Sequence, residues 1–89
     1  MADSLTVDVV IPTAQLFSGP AESVVAPAID GSIGILARHE PTLTLLSPGE
    51  VKITTAAGQV TRFFVEEGFM SVDEDVVTVV VERAKPADN

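Results

Sequence analysis

The sequence has no cysteine, no tyrosine and no tryptophan, a single histidine, and five basic residues against thirteen acidic ones. Without cysteine there is neither a disulfide framework nor a thiolate zinc site, so the fold rests on packing alone, as suits a reducing cytoplasm. A net charge of −8 repels phosphate backbones and anionic lipid heads, which argues against nucleic-acid binding. No apolar run approaches the roughly 18 residues of a membrane span. The first residues, Met1 to Thr6, also lack the basic and apolar regions of a secretion signal. The expected protein is neither exported nor inserted in a membrane.

What is present is β-sheet composition. Hydrophobic residues make up 46 % of the 89, and Val is the commonest of them, with a branched side chain that suits a pleated surface. A chain this short supports one domain around a single layer pair. Leu5, Val7, Val9 and Ile11 alternate with Thr6, Asp8 and Val10, the period of a half-buried strand, and Pro12 ends it because it has no N–H for the ladder.

Leu16 and Phe17 form a short piece closed by a turn at Ser18, Gly19 and Pro20, with Phe17 in the core. Glu22 to Ala26 reads as a strand ended by Pro27, reversed at Asp30-Gly31 into Ile33, Ile35 and Leu36. Gly34, inside that strand, predicts a bulge or a close backbone neighbour.

Thr42 to Leu46 follows as a strand or a single helical turn. Pro48-Gly49 is a turn, and Val51 to Thr55 and Val60 to Glu66 form a hairpin around Gly58. Gly68 to Val72 and Val76 to Glu82 flank the acidic turn Asp73-Glu74-Asp75. Turn signals recur about every eight to twelve residues, the spacing of a small antiparallel β-sandwich or flattened barrel. The expected fold is therefore all-β, with about 8 to 10 short strands over residues 1–84 and a disordered tail at 85–89.

Catalytic readings are weak. His39 is the one imidazole, and no serine lies in a Gly-x-Ser-x-Gly elbow, so a hydrolytic triad gives way to a histidine that bonds a loop or a partner. Gly31, Ser32, Ile33 and Gly34 lack the further glycine, the Lys-Ser/Thr pair and the helix of a phosphate loop. Asp73, Glu74 and Asp75 offer hard oxygen ligands, but consecutive residues of an extended chain alternate sides, so a solvated hairpin tip is favoured. No cofactor is expected. Lys52 or Lys85 raises the alternative of a lipoyl- or biotinyl-type carrier, although that family modifies a lysine at a tight turn and Lys52 sits between Val51 and Ile53 in a strand.

Taken in order, Leu5 to Ile11, Leu16 to Gly19, Val24 to Pro27, Asp30 to Leu36, His39 to Thr44, Pro48-Gly49, Val65 to Val72 and Val76 to Val79 resemble the N-terminal β-sandwich domain of the epsilon subunit of F-type ATP synthases. Two departures stand out. The position before His39 is most often glycine in that family and is Arg38 here, and the usual glycine pair before Phe69 is Glu67-Gly68. The chain also stops where the family's C-terminal helical hairpin would begin, so neither the braking of hydrolysis nor the ATP binding associated with that hairpin is carried over.

The resemblance implies a non-catalytic rotor subunit, one copy in a hetero-oligomer. It would link the gamma subunit to the membrane c-ring and couple proton translocation to ATP synthesis, peripherally, on the cytoplasmic face of the cell membrane. It places partner contacts at Gly31, Ser32, Ile33, Gly34, Arg38, His39 and Pro41, and structural roles at Phe17, Gly19, Gly49 and Gly68.

Overall fold

The alternating apolar pattern becomes ten strands among the described residues, 4–87, of the computed structural model. They are β1 (Leu5–Ile11), β2 (Ala14–Ala21), β3 (Ser23–Ala28), β4 (Gly31–Leu36) and β5 (Thr42–Leu46), then β6 (Gly49–Thr54), β7 (Val60–Val65), β8 (Gly68–Asp73), β9 (Val76–Val81) and β10 (Ala84–Pro86). No described residue is helical, and no helix long and apolar enough to cross a membrane occurs among them.

The strands form one hydrogen-bonded path, β10-β7-β6-β3-β5-β8-β9-β1-β2, with β4 added on β3. A single residue pair, Ala28 with Leu46, joins β3 to β5, so the path folds there into two sheets. One is β5-β8-β9-β1-β2 and the other is β4-β3-β6-β7-β10. Their inner faces share one core: Leu5, Val7, Val9, Met70, Val77 and Val79 from the first sheet meet Val24, Ile35, Val51, Ile53, Phe63 and Val65 from the second. Phe17 on β2 meets Phe63 on β7 edge to face, with centroids 6.4 Å apart and an interplanar angle of 76°. This is the all-β sandwich expected, with a closed apolar interior and no buried polar residue among the described residues.

Four local expectations are corrected. Ser18, Gly19 and Pro20 form no turn, because β2 runs through them to Ala21, opposite β1. Proline is tolerated there because β2 pairs with β1 alone, and an edge strand can present its missing N–H outward. Pro27 likewise lies inside β3, where its carbonyl accepts the Ser47 N–H at 2.8 Å.

Of the tail expected at 85–89, Lys85 and Pro86 are strand residues. Ala84, Lys85 and Pro86 pair with Val65, Phe64 and Phe63, and Ala87 N–H donates to the Arg62 carbonyl at 2.9 Å. The open edge of β7 supplies those backbone partners, which short-range sequence cannot reveal; Asp88 and Asn89 lie outside the described residues. Finally, the sandwich is not wholly antiparallel, since β1 and β9 run parallel from Thr6-Val76 to Val10-Val80.

A register shift between Val9 and Val10 leaves Leu16 as an extra residue in β2. Adjacent strand residues normally face opposite sides, but the bulge lets Leu16 and Phe17 both pack against the core.

Candidate functional site: docking surfaces

Strand β4 separates residues that the sequence places together. Five steps of about 3.3 Å carry the chain roughly 17 Å from Gly31 to Leu36, so Gly31 and Arg38 occupy opposite ends of the sandwich. Gly31 stands at the end formed by residues 29–30, 47–48, 66–67 and 82–83, where Ser47 N–H donates to the Pro27 carbonyl and Glu66 N–H to the Arg83 carbonyl. Arg38, His39 and Pro41 stand at the other end, with the turn at 73–75 and the loop at 55–59.

Gly31 has φ of 125°, which favours glycine at the start of β4. Ser32 and Gly34 are exposed and Ile33 is half-buried against the core. A Cβ built on Gly34 meets nothing within 4 Å, so the expected bulge or close backbone neighbour is absent from this chain. The reason is positional: Gly34 pairs with the exposed Val25 on the outward face of the sheet, and the β3–β4 register runs without a shift.

Arg38 is a left-handed residue with φ of 69°. Its backbone N–H donates to Asp75 Oδ1 at 2.6 Å. His39 Nδ1 donates to the Glu40 carbonyl at 2.8 Å and lies 3.4 Å from Thr42 Oγ1. Thr42 Oγ1 donates to the same carbonyl at 2.9 Å. These are loop-closing bonds, and the imidazole has no serine among these partners.

The four positions given structural roles, Phe17, Gly19, Gly49 and Gly68, differ in their surroundings. Phe17 packs between the sheets. At Gly49 a Cβ would lie 2.8 Å from Pro27 Cβ. At Gly68 it would overlap the Val80 carbonyl oxygen and lie 2.6 Å from Val81 Cγ1. At Gly19 a Cβ meets nothing within 4 Å, although the residue pairs with the buried Val7 on β1.

A surface missed in the sequence is the outer face of the first sheet. Leu43 and Leu45 on β5 are 73 % and 60 % exposed. Leu45 is paired with Phe69, Phe69 with Val80, and Val80 with Val10, a row of apolar side chains across four strands. Ile29, whose N–H donates to the Leu45 carbonyl, extends the row at the β3–β4 end. Several exposed apolar side chains contiguous on one sheet face mark a contact surface. The available signal was the adjacent pair Leu45-Leu46, which cannot face inward together.

The outer face of the second sheet differs in charge. Lys52 and Arg62 are paired across β6 and β7, Lys85 is paired with Phe64, and Arg62 Nε lies 3.5 Å from Glu50 Oε1. Neither Lys52 nor Lys85 is at a hairpin tip, the position a carrier lysine requires. At the acidic tip, Glu74 and Asp75 have φ of 49° and 64°, a two-residue turn with both central residues left-handed. No metal-binding group of three or more His, Cys, Asp or Glu occurs among the described residues.

A family model for the beta-sandwich domain of the ATP synthase Delta/Epsilon chain matches residues 4–87. The chain belongs to that family. Among related chains, ATP synthase epsilon chain 1 of Methylococcus capsulatus is 42 % identical over 91 residues, covering 99 % of this chain and 65 % of the relative. The ATP synthase epsilon chain of Nitrosococcus oceani is 40 % identical over 87 residues, covering 98 % and 62 %.

The Delta/Epsilon sandwich is also similar in fold to a chain in the cryo-EM structure of Euglena gracilis mitochondrial ATP synthase (OSCP/F1/c-ring). The TM-score is 0.90 at 22 % identity, over 97 % of this chain and 55 % of the other. A chain from the central stalk and c-ring of the Tetrahymena thermophila mitochondrial enzyme gives a TM-score of 0.76 at 18 % identity, over 91 % and 65 %. The chain thus spans about three-fifths of the length of the curated relatives it matches.

Proposed function

We propose that this epsilon-type sandwich is a non-catalytic rotor subunit of an F-type ATP synthase. It joins the gamma subunit to the c-ring, one copy per complex, and couples proton translocation to ATP synthesis carried out on other subunits. It sits peripherally at the cytoplasmic face of the membrane as part of the F1 sector. Membership in the Delta/Epsilon family supports this, and the observation that carries it is the exposed apolar row through Leu45 and Phe69 on a sandwich whose core is already complete without it.

The two kinds of surface suit two kinds of partner. The apolar outer face of the first sheet packs on gamma, and Arg38, His39 and Pro41 border that face where the chain enters β5. The polar edge and end at Gly31, Ser32, Ile33 and Gly34 meet the polar loops of the c-ring. Opposite ends of a closed sandwich cannot rest on one flat surface, which is why these residues are divided between partners. Torque passes through such an element because a packed interior is barely compressible.

The test is a pull-down from detergent-solubilised membranes of the source organism, with retained proteins identified by mass. Gamma, other F1 subunits and the c-ring are expected with the unaltered chain. The double variant Leu45→Asp, Phe69→Asp is expected to fold and to retain them about tenfold less, since central apolar anchors carry most binding energy. Recovery of soluble metabolic enzymes alone would overturn the reading, and undiminished recovery by the double variant would overturn the assignment of the gamma face.

A further inference from the structure

Asp75 stands 37 positions from Arg38 in sequence and in contact with it in space. Its carboxylate Oδ1 accepts the Arg38 N–H at 2.6 Å, and a carboxylate is a strong acceptor for a backbone N–H. Its own backbone carbonyl accepts the Thr6 N–H at 2.8 Å. One residue therefore ties the β8–β9 turn to both the β4–β5 loop and the start of β1.

The bond falls where the loop most needs it. Arg38 adopts φ of 69°, a conformation that a non-glycine side chain disfavours. Glycine takes that conformation unaided; arginine needs an external hold. We propose that Asp75 is the positioning residue of the Arg38 to Pro41 loop, its carboxylate fixing the left-handed turn that sets the loop for docking. The inference rests on the rotor reading for what docks there.

The geometry also supplies a clean variant. Asp75 has φ of 64° in a two-residue turn that accepts Gly, Asn or Asp. Asp75→Gly thus keeps the turn and removes only the carboxylate, and Asp75→Asn keeps both the turn and a side-chain oxygen acceptor.

Two measurements on the full chain test the proposal. Hydrogen exchange at the Arg38 amide reads the clip directly. Exchange should be slowed in the unaltered chain and should accelerate about tenfold in Asp75→Gly, the equilibrium worth of one charge-assisted bond. Affinity for ATP synthase stripped of its own epsilon chain should fall by a similar factor, and Asp75→Asn should restore both readings to within about threefold. The unfolding midpoint should move little, a pattern that a purely structural residue would not give.

An unprotected Arg38 amide in the unaltered chain, or an unchanged one in Asp75→Gly, would overturn the clip. Faster exchange with undiminished affinity would overturn its part in docking. Failure of the unaltered chain itself to bind the stripped enzyme would instead overturn the rotor reading, and the docking role with it, while the exchange result would stand by itself.

Discussion

At Gly68 a methyl group has no space, since the Val80 carbonyl oxygen and the Val81 side chain already occupy the position. The clash is with backbone, so relief requires β8 to move off β9. Gly68→Ala should therefore destabilise the domain by about 1 to 3 kcal/mol, as overpacking of a dense interior does. Gly19→Ala, which meets open space, should change stability by less than about 1 kcal/mol in either direction. Urea midpoints followed by far-ultraviolet circular dichroism compare the two directly, and equal losses would contradict the close approach at Gly68. The neighbouring Glu67 is exposed, and nothing at that position demands the absence of a side chain.

Among the elements, β10 and β5 depart most from what their sequences suggest. Lys85 and Pro86 look like an unstructured terminus, yet β10 pairs with β7. Ending the chain at Arg83 should cost about 1 to 3 kcal/mol, the worth of a few backbone hydrogen bonds at about 1 kcal/mol each. A thermal melt that did not shift would mean that the strand contributes nothing in solution.

In β5 the alternation Thr42, Leu43, Thr44, Leu45 suggests that the leucines face inward. They face out, and the threonines are half-buried. Period two fixes which residues share a face, and Leu46, buried at the junction with Ala28, decides which face is inside. A one-residue slip would reverse every side chain of the strand.

For the whole molecule, the two sheets are held by one core and by a single strand crossing at Ala28 and Leu46. Neither sheet can keep its apolar face dry alone, so the domain should unfold in one step. Ile53→Ala in the second sheet should cost about 2 to 5 kcal/mol and should lower the same transition as Val79→Ala in the first. Coincident calorimetric and van't Hoff enthalpies for both variants are the check; a biphasic transition in either would show that the sheets unfold separately. Losses of this size consume much of the roughly 5 to 13 kcal/mol that a chain of this length has in total.

Local chemistry determined most of the strands. Leu5, Val7 and Val9 announce an inward face, the acidic turn at 73–75 and the hairpin around Gly58 reverse the chain as their residues require, and the absence of cysteine leaves packing as the source of stability. The ordered matches along the chain were enough to indicate the family.

Only the tertiary structure decided what lies next to what. The parallel pairing of β1 with β9 and the bond from Arg38 to Asp75 join residues tens of positions apart, and packing of the two sheets turns the leucines of β5 outward. Alternation has no sign: it says which side chains share a face, and only the strand on the other side of the core says which face is buried.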